Sequence, residues 1–159
     1  MTQEQIKEIS EDPKTFLLQG RNAQSRIAAK RERIDSWRRL AESITVTLKP
    51  DGGSSPKGYK QSLVENAACS IIDLENEIAA EIKALADIEK DIGEAIAIFI
   101  KDDRYKAVLE MKYLNGYSWR YIASKLYYGE DWVCRLHGAA LQEMKRNASE
   151  YLTTGKQSS

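Results

Sequence analysis

The chain has 159 residues, with 24 lysines and arginines balanced by 24 aspartates and glutamates. That length suits one ordinary domain, or a small domain on an extended helical element. A net charge of zero excludes a uniformly cationic surface. Two widely separated cysteines, Cys69 and Cys134, exclude a disulfide scaffold or a CxxC zinc module, and no apolar run approaches the roughly 20 residues that span a bilayer. The start, MTQEQIKEIS, has neither a basic nor an apolar leader region. The expectation is a reducing, cytoplasmic location with no membrane contact. Three prolines and nine glycines leave long Ala, Glu, Lys, Leu, Arg and Ile stretches unbroken, which predicts an all-α fold.

From Ala23 the apolar positions run Ala23, Ile27, Ile34, Trp37, Ala41, Ile44 and Leu48, in alternating steps of four and three broken only by Lys30. This is a coiled-coil seam. A longer seam runs Val64, Ala67, Ile71, Leu74, Ile78, Leu85, Ile88, Ile92, Ala95 and Phe99, broken only by Glu81. Between them KPDGGSSPKG, residues 49–58, ends one helix and blocks its continuation. Its glycines lack the spacing of a phosphate-binding loop, so it reads as a linker. The reading for 1–100 is therefore a long antiparallel helical hairpin. Charge supports the pairing: Arg21 to Arg39 holds seven basic and two acidic residues, Glu65 to Glu94 nine acidic and two basic. The stretch from Val64 to Phe99 would be roughly 50 Å long, more than a short partner covers, so a homodimer through the hairpin is expected.

After Ile100 three short helices are predicted in close order. Asp102 or Asp103 caps the first, with Tyr105, Val108, Leu109 and Lys112 on one side, and Asn115-Gly116 ends it. Ser118 caps the second, whose apolar face is Trp119, Ile122, Ala123 and Leu126. A turn at Tyr127-Tyr128-Gly129 leads into the third near Glu130 or Asp131, with Val133, Leu136, His137, Ala140, Leu141 and Met144 as its apolar stripe. Tyr127 stands where a left-handed residue, usually glycine, is expected. Opposite the stripe lie Asp131, Arg135, Gly138, Gln142 and Arg146. Two short helices joined by a tight turn, the second amphipathic with a polar outer face, suit major-groove recognition. Small Ala123 falls where they cross. Residues 101–146 carry nine basic against six acidic side chains, so this end is mildly basic.

At these residues the sequence resembles a known family. RYKAVLEMKYLNGYSWRYIASKL, the turn, and WVCRLHGAALQEM look like the sigma-factor region 4 pattern, in the variant of phage and prophage late-transcription regulators of the ArpU and RinA kind. The likeness covers most of residues 15–147. It implies a helix-turn-helix domain over 101–147, double-stranded DNA as ligand and contact with RNA polymerase. Residues 148–159, beyond the likeness, are expected to form a flexible tail. It places Arg135 at a position that faces bases, Ser118 and Trp119 at the start of the bracing helix, and Val133, Leu136 and Ala140 in the core. Nothing resembles the other regions of a sigma factor.

The DNA-facing set is thus Arg135, Asp131, Gly138 and Gln142, with Arg120, Lys125 and Arg146 for phosphates and Tyr128 and Trp132 for aromatic contact. Glu130-Asp131 can cap the helix, accept from a cytosine amino group, or mark a surface that does not bind DNA. His137 with Cys134 or Asp131 lacks further ligands for a metal, and a packed histidine is expected. The aromatics Tyr113, Tyr117, Trp119, Tyr121 and Tyr127 are expected to pack. No nucleophile, base and acid arrangement can be assembled, so no enzyme and no cofactor is expected. The expectation is a phage-type transcription regulator; the alternatives are a small terminase-like packaging subunit and a protein-binding adaptor.

Overall fold

The computed structural model describes residues 1–47 and 57–157. Its described residues are all-α, in the order α1 (Gln3–Glu11), α2 (Pro13–Thr47), α3 (Lys57–Phe99), α4 (Asp103–Leu109), a π-helical turn (Glu110–Leu114), α5 (Trp119–Leu126) and α6 (Glu130–Gln157). Leu48 and most of the expected 49–58 linker lie outside the described residues. Lys57 and Gly58 already belong to α3, which starts seven residues before the expected Val64.

The chain divides into two compact units, Met1–Asn22 with Leu85–Ser159, and Ala23–Ala84. The expected boundary at residue 100 is therefore corrected. The reason is apolar: Ile6, Ile9, Phe16 and Leu17 share one core with Ile92, Ile96, Phe99, Leu109, Tyr113, Ala140, Met144 and Ala148. The segment ahead of the hairpin and the last turns of α3 thus belong with the carboxy-terminal helices.

Within the Ala23–Ala84 unit the antiparallel hairpin is present. Ala23, Ile27 and Ile34 of α2 and Ala67, Leu74 and Ile78 of α3 are buried. The two polar interruptions of the seams meet each other: Lys30 Nζ lies 2.7 Å from Glu81 and 3.3 Å from Glu77. Arg26 adds a second contact to Glu81 at 3.1 Å, and Arg38 reaches Glu75 at 3.5 Å. Partner numbers fall along α3 as they rise along α2, which is antiparallel order. The hydrogen bond to Glu81 holds the Lys30 ammonium above its ordinary pKa, and the same bond holds the Glu81 carboxyl below its own. A slip of one heptad would set each charge against an apolar seam residue, so the pair specifies register.

The other unit begins with an element the sequence reading passed over. Thr2 and Gln5 form a reciprocal capping box at the start of α1, and Asp12 accepts from the Thr15 backbone N–H at 3.2 Å at the start of α2. Pro13 is tolerated at the first position of α2 because no intrahelical partner awaits its missing N–H. α1 packs along α6. A second, smaller core of Val108, Ile122, Ala123, Val133 and Leu136 joins α4, α5 and α6.

The segment after 147, expected as a flexible tail, continues α6 to Gln157. It is held there by side chains. Ala148 is fully buried, Leu152 packs on the main core, and the Tyr151 ring meets Phe99 edge-on with centroids 6.0 Å apart. Asn147 donates to the Phe99 carbonyl at 2.6 Å, satisfying one of the carbonyls that the end of α3 leaves without an intrahelical partner.

Candidate nucleic-acid interface

α4, α5 and α6 follow one another closely and share the smaller core. Asp102 caps α4 by accepting from the Arg104 N–H at 2.8 Å. The helix then widens into the π turn, ended by the Asn115 N–H on the Glu110 carbonyl and by Gly116 at φ +74. Ser118 caps α5 through its hydroxyl, which accepts from the Tyr121 N–H at 3.2 Å. Ala123 is buried against Val133 and Leu136 where α5 meets α6, leaving room for a close crossing.

The turn is closed by two backbone bonds, from the Tyr128 N–H to the Ala123 carbonyl at 3.0 Å and from the Tyr127 N–H to the Ser124 carbonyl at 3.4 Å. This is a Schellman closure, and it puts the residue after the helix into the left-handed region. Tyr127 occupies it at φ 58, ψ 38, with its side chain 94% exposed. The strain expected there is therefore present and supports no packing.

α6 starts with the Val133 N–H on the Gly129 carbonyl at 3.1 Å, so Glu130 and Asp131 fill the first turn. Among the described residues neither carboxylate accepts a hydrogen bond from the backbone N–H groups of the helix start. They act there on the positive end of the helix dipole rather than as caps.

Asp131, Arg135, Gly138, Gln142 and Arg146 are all exposed on the outer side of α6. None of these side chains, and not that of Arg120, makes a hydrogen bond or ion pair among the described residues. The set divides in space. Asp131 and Arg135 stand in the first two turns, next to the exposed rings of Tyr128 and Trp132 at the corner. Gly138, Leu141, Gln142 and Lys145 line one side of a groove whose other side is Glu11, Asp12, Pro13 and Lys14. Arg146 lies three turns beyond Arg135, roughly 16 Å along the axis. Lys125 is exposed and sits over the Tyr121 ring, 5.4 Å from its centroid. The sequence reading missed Lys14 beside the groove, because only the packing of α1 against α6 brings residues 11–14 to that face.

Beneath the outer side of α6 lies an aromatic cluster. The Tyr113 hydroxyl is 2.7 Å from His137 Nε2, and the imidazole stacks on Tyr113 and meets the Trp119 edge at 4.7 Å. Lys112 Nζ covers the Trp119 ring at 4.3 Å. Burial, then the charges of Lys14 and Lys112, pushes His137 down to about 4, and burial pushes Tyr113 up to about 12. His137 is thus neutral at physiological pH, and its Nε2 can accept a hydrogen bond from the Tyr113 hydroxyl. Among the described residues no three His, Cys, Asp or Glu side chains converge as metal ligands. Cys134 is exposed.

The aromatics divide differently from the expectation. Tyr113 is buried and Tyr117 and Trp119 are half-buried, but Tyr121 and Tyr127 are exposed along with Tyr128 and Trp132. Tyr113 lies one turn after Leu109 and enters the main core with it, while Val108 serves the smaller one. No described helix is long and apolar enough to cross a membrane. Comparison with protein-family models, with curated proteins and with solved structures gives no match.

Proposed function

We propose that the chain is a sequence-specific DNA-binding regulator of the phage transcription type, reading a duplex with the first turns of α6. The observation that supports it is the state of Arg135: exposed, without a partner among the described residues, on the outer side of a helix whose inner side is fixed by Val133, Leu136 and Ala140. A guanidinium so placed matches the O6 and N7 acceptors of a guanine in the major groove. Arg120, Lys125 and Arg146 then hold backbone phosphates, and Tyr128 and Trp132 touch the sugar-phosphate edge beside the turn. Asp131 accepts from a cytosine amino group. Gly138 and Gln142 contribute at the far end of the site, where the Glu11–Lys14 corner limits how deeply the duplex can lie. A homodimer through the hairpin places two such surfaces in one molecule, and RNA polymerase is the second partner of this reading. No catalytic step or cofactor belongs to it, and the setting is the cytoplasm.

Selection of bound sequences from a random duplex pool, followed by titration of the selected site, tests the reading. Arg135→Ala is expected to lose about 1–3 kcal/mol of specific affinity and to relax preference at one base pair. Absence of binding to any duplex at low salt overturns it. That outcome would favour the adaptor reading, which draws on the carboxylates Glu11, Asp12, Glu130 and Asp131 around the same surface.

A further inference from the structure

α3 carries a second apolar stripe that the hairpin does not use. In the Ala23–Ala84 unit, Ala68, Ile72, Ala79 and Ile82 recur at heptad spacing on a side about 100° from the Leu74 and Ile78 seam. All four are exposed; Ile72 retains 56% and Ile82 45% of its surface. One polar residue, Glu75, stands in the stripe. Apolar residues at such spacing on an already paired helix call for another helix.

The order of residues identifies that helix. Ile72 and Ile82 lie equally far on either side of Glu77, and so do Glu75 and Ala79. Laid antiparallel on a copy of itself with a two-fold axis at Glu77, the stripe sets Ile72 against Ile82 of the second copy, and Ala79 against its Glu75. The same contacts recur with the copies exchanged, as an isologous interface requires. Alanine at 79 permits close approach of the two backbones. Charge fits as well. Glu75 of one copy lies one turn from Lys83 of the other, roughly 6 Å along the axis, and Lys83 is exposed with no ion pair among the described residues.

We infer that the exposed Ile72 and Ile82 face of α3 binds the same face of a second copy of this chain, antiparallel, about a two-fold axis at Glu77. The inference rests on the dimer part of the reading above and is independent of DNA binding. It is tested on the full chain by sedimentation equilibrium at tens of micromolar. Wild type is expected at twice 18.0 kDa, and the Ile72→Glu, Ile82→Glu double variant at the monomer mass with unchanged helical circular dichroism. Because both side chains are exposed within one copy, their replacement does not disturb the monomer core. A monomeric wild type, or a dimer that survives the double variant, overturns the inference.

Orientation is read by oxidation in a Cys69→Ser, Cys134→Ser background. Chains carrying both Ile72→Cys and Ile82→Cys are expected to form covalent dimers, while Ile72→Cys alone does not. The two positions are roughly 15 Å apart along one helix, too far to bridge within a copy. Cross-linking of Ile72→Cys alone at equal yield would indicate a parallel pairing and overturn the proposed axis. Loss of DNA binding with an intact dimer would sink the regulatory reading and leave this interface standing.

Discussion

Replacing Tyr127 by glycine should make the protein more stable. A left-handed backbone costs an L-residue about 1–2 kcal/mol, and Tyr127 sits there at φ 58, ψ 38 with a side chain that is 94% exposed. Removing the ring therefore sacrifices almost no burial. The two hydrogen bonds that close the turn, to Ala123 and Ser124, come from backbone groups and survive the change. Glycine gives back part of the gain, about 0.5–1 kcal/mol, through its larger entropy in the unfolded chain. The net is a stabilisation of about 0.5–1 kcal/mol, or a rise in Tm of about 1–4 °C for a chain of this size. Urea unfolding followed by helical circular dichroism measures it, provided the m-value stays constant. Tyr127→Ala is the control, since its Cβ keeps the left-handed penalty and no gain is expected. A glycine variant no more stable than the alanine variant would refute the assignment of strain to this turn.

Stability should fall on mild acidification because His137 is held neutral. Its folded pKa of about 4 lies below the ordinary 6.5, so the contribution is complete above pH 6.5 and is lost as pH falls from there towards 4. With the partial exposure of the ring discounted, the loss is about 1–2 kcal/mol, and thermal melts should show it between pH 7 and 5. In His137→Phe that slope should vanish; persistence of the slope would assign it to another group. Asp12 titrates in a separate range. Its carboxyl is lowered by the Thr15 hydrogen bonds, so its contribution is lost only as pH falls below the ordinary carboxylate range. Met144→Ala, at a fully buried position of the main core, should cost about 2–5 kcal/mol in urea unfolding, and a cost under 1 kcal/mol would contradict the packing. Ending the chain after Asn147 should cost about 2 kcal/mol or more, through loss of Ala148, Tyr151 and Leu152. Unchanged stability on truncation would return those residues to the status of a tail.

The interruptions Lys30 and Glu81 show how far pattern reaches. Each was visible as a flaw in its own seam, but that one answers the other at 2.7 Å depends on the register of two helices far apart in sequence. Caps are the opposite case. Asp102 and Ser118 bond to backbone N–H groups two and three residues ahead, so the starts of α4 and α5 were readable where they stand. The left-handed site at Tyr127 was readable for the same reason.

What the sequence alone determined was therefore local and periodic: the all-α class, the two seams, the caps, the corner at 127–129, and the side of α6 that carries Arg135. Those properties depend on residues within a turn or two of each other, or on a repeat of 3.5 to 3.6. Tertiary structure decided where the units divide, that residues 148–157 are helix, that Tyr113 turns inward to His137, and that Glu11–Lys14 walls one end of the outer face of α6. Each of these needs Ile6, Ile9, Phe16 and Leu17 to find Met144 and Ala148 across more than a hundred residues, and no spacing rule within one helix records which distant apolar face will cover it.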